Sequence, residues 1–488
     1  MFQTFRNAWK IASLRSRIIF TLLMLVVFRF GAHIPVPFLS GEAMQAFLGA
    51  GGTDLFSLFD VFTGGAFSNA TVMALGVSPY INSSIIIQLL TVAIPALERL
   101  SKEGVEGRKK LNKITRYVAI VLAFVQGAGL YVTLYNMKAT AGLEAIQNPS
   151  VLTFFIIVLT FTAGTAFIVW IGELITEKGL GNGVSLLIFA GIVSRIPSGI
   201  VSVYTQFLGT GVSIKGLAIV AAIIVVAVAA IAFVVFFSEA ERRIPVQYAK
   251  RVVGRKMYGG QSTNIPIKVV MGGVMPIIFA SSIMAFPATI VRLMTGGNMP
   301  TEGIGYYILG CLSAGYGPGW TSAVYAVLYF LLIIFFTYFY SSIQFNPIEM
   351  SNNMKKSGGF IPGIRPGKPT SDFIGKVASR LNLIGAFFLG AIAILPIVVG
   401  AATGMTSLQL GGTSLLIIEG VALETVRQIE SQMTMRHYKG FLEYQRRYHH
   451  ELSINGTSGC RKRHSGRDFI KKTWYRYNIN GCYASFRN

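Results

Sequence analysis

Apolar residues gather in ten runs centred near residues 25, 85, 125, 160, 195, 227, 280, 330, 390 and 422. Runs of about 20 apolar residues are the length a helix needs to cross a bilayer, so ten transmembrane helices are predicted. The first runs from about Arg17 to Ala32 and is stopped by Pro35 and Pro37; a loop with Gly49, Gly51 and Gly52 follows. One further apolar stretch, Gly64 to Leu75, is too short to span and too apolar for an ordinary exposed loop. It is either an interfacial helix or a re-entrant piece tucked into a cavity.

Charge orients these runs. Arg99, Lys102, Arg108, Lys109, Lys110, Lys113 and Arg116 separate the second from the third; Arg242, Arg243, Lys250, Arg251, Arg255, Lys256 and Lys268 separate the sixth from the seventh. Lys355, Lys356, Arg365, Lys368, Lys376 and Arg380 separate the eighth from the ninth, whereas no Lys or Arg lies between Ala32 and Leu75 or between Ala401 and Gly411. Basic loops stay on the cytoplasmic side, so both termini are predicted to be cytoplasmic. Over the 488 residues, 52% are hydrophobic and 13% charged, with a mean hydropathy of +0.57, too few charges to cover a soluble globule. The net charge of +23 then reads first as loops beside anionic lipid, and only second as a nucleic-acid surface. The first apolar run is not followed by a small-residue cleavage site and is expected to be retained.

Within the second run the chain reads Gly76-Val77-Ser78-Pro79-Tyr80-Ile81-Asn82-Ser83-Ser84-Ile85-Ile86-Ile87-Gln88. Pro, Asn, Ser and Gln are tolerated in a membrane helix only where protein or water satisfies them, so this segment is expected to face a cavity or other helices. It partly returns as Gly273-Val274-Met275-Pro276-Ile277-Ile278, with Ser281, Ser282 and Ile283 beyond. A repeat between the second and seventh runs gives five helices to each half, an odd number, so the halves are inverted. Such folds place their working site at the midplane between the halves. Val77 and Ile81, like Val184 and Ile188, are four apart and share a helix face; plain core packing and a hydrophobic constriction both stay open for them.

Catalytic chemistry is missing. His33 and His437, outside the final tail, have no neighbouring Ser or Cys motif. Gly363-Ile364-Arg365-Pro366-Gly367-Lys368-Pro369-Thr370 lacks phosphate-loop spacing and reads as a turn, and Gly179-Leu180-Gly181-Asn182-Gly183 reads as a flexible helix entry. Cys311, Cys460 and Cys482 have no metal-ligand spacing, so free thiols are expected. Glu173 and Glu419 lie near segment ends and read as paired or interfacial carboxylates. No enzyme, metal or cofactor is expected.

The Gly76 to Leu90 stretch resembles the second-helix signature of the SecY family, the channel subunits of the bacterial protein translocase. Arg108-Lys109-Lys110, Gly172 to Gly183, Gln247-Tyr248-Ala249-Lys250-Arg251, Gln261-Ser262-Thr263 and Lys355 to Gly367 fall in family order, so the resemblance covers about residues 1–443. It implies an all-α polytopic membrane protein: ten transmembrane helices in two inverted five-helix halves, 1–205 and 206–443, around a central pore. Basic cytoplasmic loops would lie at about 239–268 and 346–380. It also implies a passive, protein-conducting channel in the bacterial cytoplasmic membrane, through which unfolded secretory polypeptide crosses or leaves sideways into lipid. Carried over by position, the pore ring is Val77, Ile81, Val184, Ile188, Ile278 and Ile417. The plug is a short re-entrant helix holding Gly64, Gly65, Ala66, Phe67, Ser68, Asn69, Ala70 and Thr71. The lateral gate is Asn82, Ser281, Ser282 and Phe286, whose polar members serve equally as interhelical hydrogen-bonding groups. Arg242, Arg243, Lys250, Arg251, Arg255, Lys256 and Arg365 would dock the SecA motor or the ribosome. Implied partners are SecE-like and SecG-like small subunits, SecA, the ribosome, signal sequences, unfolded polypeptide and anionic lipid.

From about Tyr444 the chain departs from the family pattern. Its last 45 residues hold ten Lys or Arg against Glu451 and Asp468, with no helical or strand period. A disordered basic extension and a shifted reading frame both fit, and no function is assigned to it. A secondary transporter with inverted repeats is the alternative reading of the whole; it wants a polar midplane site, and the expected midplane is aliphatic.

Overall fold

The computed structural model describes residues 6, 8–49, 60, 63–141, 145–207, 214–248, 251–253, 256–258, 262–294, 304–312, 319–403 and 414–434. The chain forms two units, Met1–Ile429 and Glu430–Asn488, and the described residues of the second, 430–434, are helical. The tail from 444 onward therefore lies outside the described residues.

Along the first unit run α1 (Ala12–Gly31), α2 (Gly41–Gly49), α3 (Ser78–Ala93), α4 (Pro95–Lys102), α5 (Val105–Ala141), α6 (Val151–Lys178), α7 (Gly183–Phe207) and α8 (Ile214–Glu239). Strands β1 (Glu241–Tyr248), β2 (Arg251–Val253), β3 (Lys256–Tyr258) and β4 (Ser262–Lys268) follow. Then come α9 (Met275–Met294), α10 (Ile304–Leu312), α11 (Gly319–Gln344), α12 (Pro347–Lys356), β5 (Gly359–Phe360), α13 (Lys368–Thr403) and α14 (414–429). Each of the ten predicted centres falls inside a helix. Among the described residues, five helical stretches are long and apolar enough to cross a membrane: Val105–Asn136, Val151–Lys178, Gly183–Val201, Trp320–Lys356 and Lys368–Leu395. A sixth arises if α3 and α4, bent by 102° at their junction, count as one. The bend follows from Pro95, whose missing N–H stops the ladder after Ile94.

The packing is that of a protein in lipid. Phe30 is 74% exposed and Phe236 71% exposed, while Thr133, Thr162 and Thr337 are buried and donate to carbonyls one turn back in their own helices. These three hydroxyls are thus satisfied inside the helices that carry them.

One predicted loop is ordered β structure. The basic stretch after α8 folds as an antiparallel hairpin, β1 on β4, in which Ile244 faces Ile265 and Val246 faces Thr263. Burial alternates from Arg243 to Gln247, with Ile244 and Val246 inward and Arg243, Pro245 and Gln247 outward, so a period of two was present under the charges. Strand β5 adds to the other edge of β1, pairing Gln247 with Phe360 and Tyr248 with Gly359. Ile244, Val246 and Ile267 form a small core with Met354, Ile361 and Ile374. The two basic loops expected separately at 239–268 and 346–380 are one packed layer.

The turn between α6 and α7, the expected flexible helix entry, carries its own hydrogen bonds. Asn182 Oδ1 accepts the N–H of Val184 at 3.1 Å and of Ser185 at 3.4 Å, capping α7. The Gly183 N–H donates to Thr176 Oγ1 at 2.9 Å, and a Cβ on Gly183 would sit 1.9 Å from the Gly172 carbonyl oxygen.

Candidate functional site: an apolar cluster and the turn segment against it

The two copies of the sequence repeat start their helices in the same way. Gly76 takes φ +56° and Gly273 φ +57°, a left-handed turn that glycine enters without Cβ strain. The next residue, Val77 or Val274, offers its carbonyl to the first turn: Tyr80 and Ile81 N–H donate to Val77 at 3.0 Å, and Ile277 and Ile278 N–H donate to Val274 at 3.2 and 3.3 Å. Pro79 and Pro276 occupy the first turn, where an N–H would have no intrahelical partner.

From these starts the six candidate pore-ring residues come together. Val77, Ile188, Ile278 and Ile417 are buried members of a single apolar cluster, and Ile81 and Val184 pack against it half-buried. Val77 arrives from the turn that caps α3, and the others from α3, α7, α9 and α14. Phe28 of α1 and Ile168, Ile171 and Ile175 of α6 back the cluster. Every member of the candidate ring is a branched aliphatic, so the surface it presents holds no group that could bind a passing chain or ion by hydrogen bonding.

The segment before α3 departs from expectation. Residues 64–77 run as successive turns with a bridge at Thr71, so the short plug helix expected there is not a helix. The physical reason is local: Gly64, Gly65 and Ala70 lie at φ +66°, +89° and +51°, and left-handed residues interrupt a right-handed ladder. The segment is nonetheless buried. Val36 N–H donates to the Ala70 carbonyl and Val72 N–H to the Ile34 carbonyl, both at 2.9 Å. Phe67 is fully buried against Met44, Leu134 and Phe161, while Ala66 and Met73 belong to the same cluster as the ring residues. Ser68 is half-buried and Asn69 exposed, its Oδ1 accepting Gln45 Nε2 at 3.2 Å. Glycines make room: a Cβ on Gly164 of α6 would lie 2.0 Å from the Val72 carbonyl oxygen.

Of the candidate lateral-gate residues, Asn82 lies half-buried on α3 and Ser281 and Ser282 half-buried on α9. The Ser281 hydroxyl donates to the Ile278 carbonyl at 2.9 Å, within its own helix. Phe286 belongs to α9, but its side chain lies outside the described residues. The interhelical hydrogen bond from this motif is made instead by Ser83, which is fully buried and donates to the Thr115 carbonyl of α5 at 2.6 Å.

Of the candidate docking residues, Arg242 and Arg243 lie on β1. Arg242 and Arg243 are exposed, and Arg243 Nε reaches Glu241 Oε1 at 2.8 Å. Lys250 and Arg255 lie outside the described residues; Arg251 and Lys256 belong to β2 and β3, with side chains not described. Arg365 is exposed on a tight turn whose form is held by Thr370 Oγ1 donating to the Arg365 carbonyl and Ser351 Oγ donating to the Gly367 carbonyl, each at 2.8 Å. At the base of the layer, burial pushes the Lys268 ammonium below its ordinary value, Arg427 adds to this, and Glu424, Glu241 and Glu239 oppose it.

Sequence reading passed over three charged residues at this site. Asp60, just before the turn segment, is 2% exposed and pairs with Arg195 of α7; Arg29 of α1 donates to the Gly64 carbonyl at 2.6 Å. The signal was visible: Arg29 and Arg195 stand inside apolar runs, where a charge needs a partner.

The SecY family model matches residues 71–426. The protein translocase subunit SecY of Mycobacterium bovis is 45% identical over 453 residues, covering 91% of this chain and all of that one. Among solved structures, one described as a protein conducting channel has a TM-score of 0.60 at 20% identity, covering 86% of this chain and 92% of that one. Sec61 from a canine ribosome–channel complex has a TM-score of 0.56 at 19% identity, with the same coverages. These structures share the fold. With the family profile spanning most of the chain and a near-half-identical relative matched along its full length, this chain belongs to the SecY family.

Proposed function

We propose that the protein is a protein-conducting channel, passing unfolded secretory polypeptide across the bacterial cytoplasmic membrane and releasing apolar segments sideways into lipid. The observation that carries this reading is the gathering of Val77, Ile81, Val184, Ile188, Ile278 and Ile417 into one aliphatic cluster in a SecY-family chain. Such a ring excludes water and ions by dewetting, yet yields to a chain because no fixed hydrogen bond has to be broken. It performs no bond chemistry; a secondary transporter would want a polar or charged site at that position.

In this reading the ten helices are ten spans, with halves at 1–205 and 206–443 related by inversion and both termini cytoplasmic. The family match and the shared helix start at Gly76 and Gly273 support that arrangement. The turn segment 64–71 is the plug that closes the outer funnel, supported by its burial against the ring. Asn82, Ser281, Ser282 and Phe286 line the seam through which lipid-bound segments leave. Small polar contacts of about 0.6 kcal/mol each make a seam weaker than a packed apolar one, as an opening gate requires.

The exposed cations Arg242, Arg243 and Arg365, with Lys250, Arg251, Arg255 and Lys256, are the surface for the SecA motor or the ribosome. Ribosomal RNA would be held there through phosphate contacts, salt-sensitively and without sequence preference. SecE-like and SecG-like subunits complete the assembly, and signal sequences are the first substrates it recognises. The experiment is site-specific crosslinking of a stalled secretory chain in membranes: contacts are expected from probes at Ile81 and Ile278. Active export without such contacts overturns the pore reading.

A further inference from the structure

Arg195 stands near the middle of α7, within Gly183–Val201, a stretch apolar enough to span a membrane. A guanidinium in such a place is costly unless it is paired. Its partner comes from far away in the chain: Arg195 Nη1 contacts Oδ2 of Asp60. The other carboxylate oxygen, Oδ1, accepts the Ser68 N–H at 2.8 Å. The Asp60 carbonyl accepts the Gly65 N–H at 2.9 Å and the Thr63 hydroxyl at 3.3 Å. Asp60 thus holds the turn with its backbone and one oxygen, and ties it to α7 with the other.

A second hook comes from α1, where Arg29 Nη1 donates to the Gly64 carbonyl at 2.6 Å. The fit is close: a Cβ on Gly64 would lie 2.5 Å from Ser194 Oγ and 2.9 Å from both Arg29 Nη1 and the Gly191 carbonyl oxygen. Two arginines from two helices therefore converge on one short turn. The same segment, through Ala66 and Met73, packs on the apolar cluster that holds the candidate ring.

We propose that the Asp60–Arg195 pair, assisted by Arg29 on the Gly64 carbonyl, is a latch that holds the 63–77 segment against the ring in the resting protein and parts when a chain enters. This rests on the reading of that segment as a plug. Apolar packing alone is non-directional and lets a segment slide, whereas an ion pair fixes its position. The attraction between the charges grows as the local dielectric falls, so the latch is strong while the site is dry and weakens once water follows a chain inside. Closure and dryness sustain each other, and the opening is a switch rather than a gradual slackening. The Arg195 side chain is 35% exposed against 3% for Asp60, so the carboxylate is the more deeply enclosed member of the pair.

The test uses the full chain assembled with its partner subunits in planar bilayers, reading idle ion conductance per channel. Asp60→Asn and Arg195→Gln are each expected to raise it by about tenfold, because each breaks the pair and leaves the partner charge uncompensated. The double variant is expected to leak no more than the leakier single, since two residues acting through one contact are not additive. Arg195→Lys, which keeps the charge, is expected to fall between the parent and Arg195→Gln. Singles as tight as the parent, beside a leaking Ile278→Asn control, overturn the latch and leave the ring reading intact. A double variant whose leak is the product of the singles overturns the pairing. A tight Ile278→Asn control overturns the ring reading, and the latch with it.

Discussion

Gly76 and Gly273, 197 positions apart, hold the same left-handed backbone at φ +56° and +57°, and each precedes a valine by one residue and a proline by three. Their surroundings differ. A Cβ on Gly76 would lie 2.4 Å from Thr63 Cγ2, whereas nothing stands within 4 Å of one on Gly273. Gly273→Ala is therefore expected to cost only backbone strain, about 1–2 kcal/mol. Gly76→Ala adds overpacking and is expected to cost about 2–5 kcal/mol in all. Thermal unfolding of the purified complex in detergent reads the difference; equal losses would show that Thr63 yields freely.

Gly164→Ala tests the seating of the turn segment on α6. Its Cβ would meet the Val72 carbonyl at 2.0 Å, so segment or helix must move, at a cost of about 1–3 kcal/mol. Gly199→Ala, on α7 with nothing within 4 Å, is the matched control and is expected to gain up to about 1 kcal/mol of helix propensity. The check is the melting temperature of the two variants beside the parent.

At the constriction, Ile278→Asn places an amide where the candidate ring is otherwise aliphatic. Idle conductance per channel is expected to rise by about tenfold or more as the ring wets. Conductance equal to that of the parent would mean the barrier lies elsewhere.

Where α3 packs on α5, Ser83→Ala removes the 2.6 Å bond to the Thr115 carbonyl and is expected to cost about 0.6 kcal/mol, the usual worth of such a bond in membranes; at the seam itself the test is covalent. A short bifunctional crosslink between cysteines at Asn82 and Phe286 is expected to stop export altogether. Full crosslinking with unchanged export would sink the gate assignment.

Arg365→Glu changes a charge on an exposed turn whose shape depends on backbone carbonyls and the Thr370 and Ser351 hydroxyls. Assembly in membranes is expected to be normal while motor-driven export falls, most steeply at low salt where screening is least. Pulse-chase export assays at two salt concentrations decide it.

Much of this was legible without a structure because it is local. Hydropathy over a window of twenty residues locates helices at all ten predicted centres, and a glycine and a proline at fixed offsets mark where α3 and α9 begin. The β hairpin escaped notice although its period of two was present: Arg242, Arg243 and Pro245 hide the alternation of Ile244 and Val246. A strand under so many charges becomes evident only when its inward residues find Met354 and Ile374.

The amino-acid sequence by itself determined that this is a polytopic membrane protein of the SecY family, which residues are aliphatic at the candidate ring, and where the positive charges stand. Only the tertiary structure decided that Val77, Ile188, Ile278 and Ile417 share one cluster, that 64–77 is a buried chain of turns rather than a helix, and that Asp60 meets Arg195 across 135 positions. The division has a physical cause. Hydropathy and turn chemistry act between neighbours, so a short window reads them, but a long-range pair depends on which loop closures the whole set of packed helices makes worthwhile. Nothing next to Asp60 in the sequence says which arginine will neutralise it.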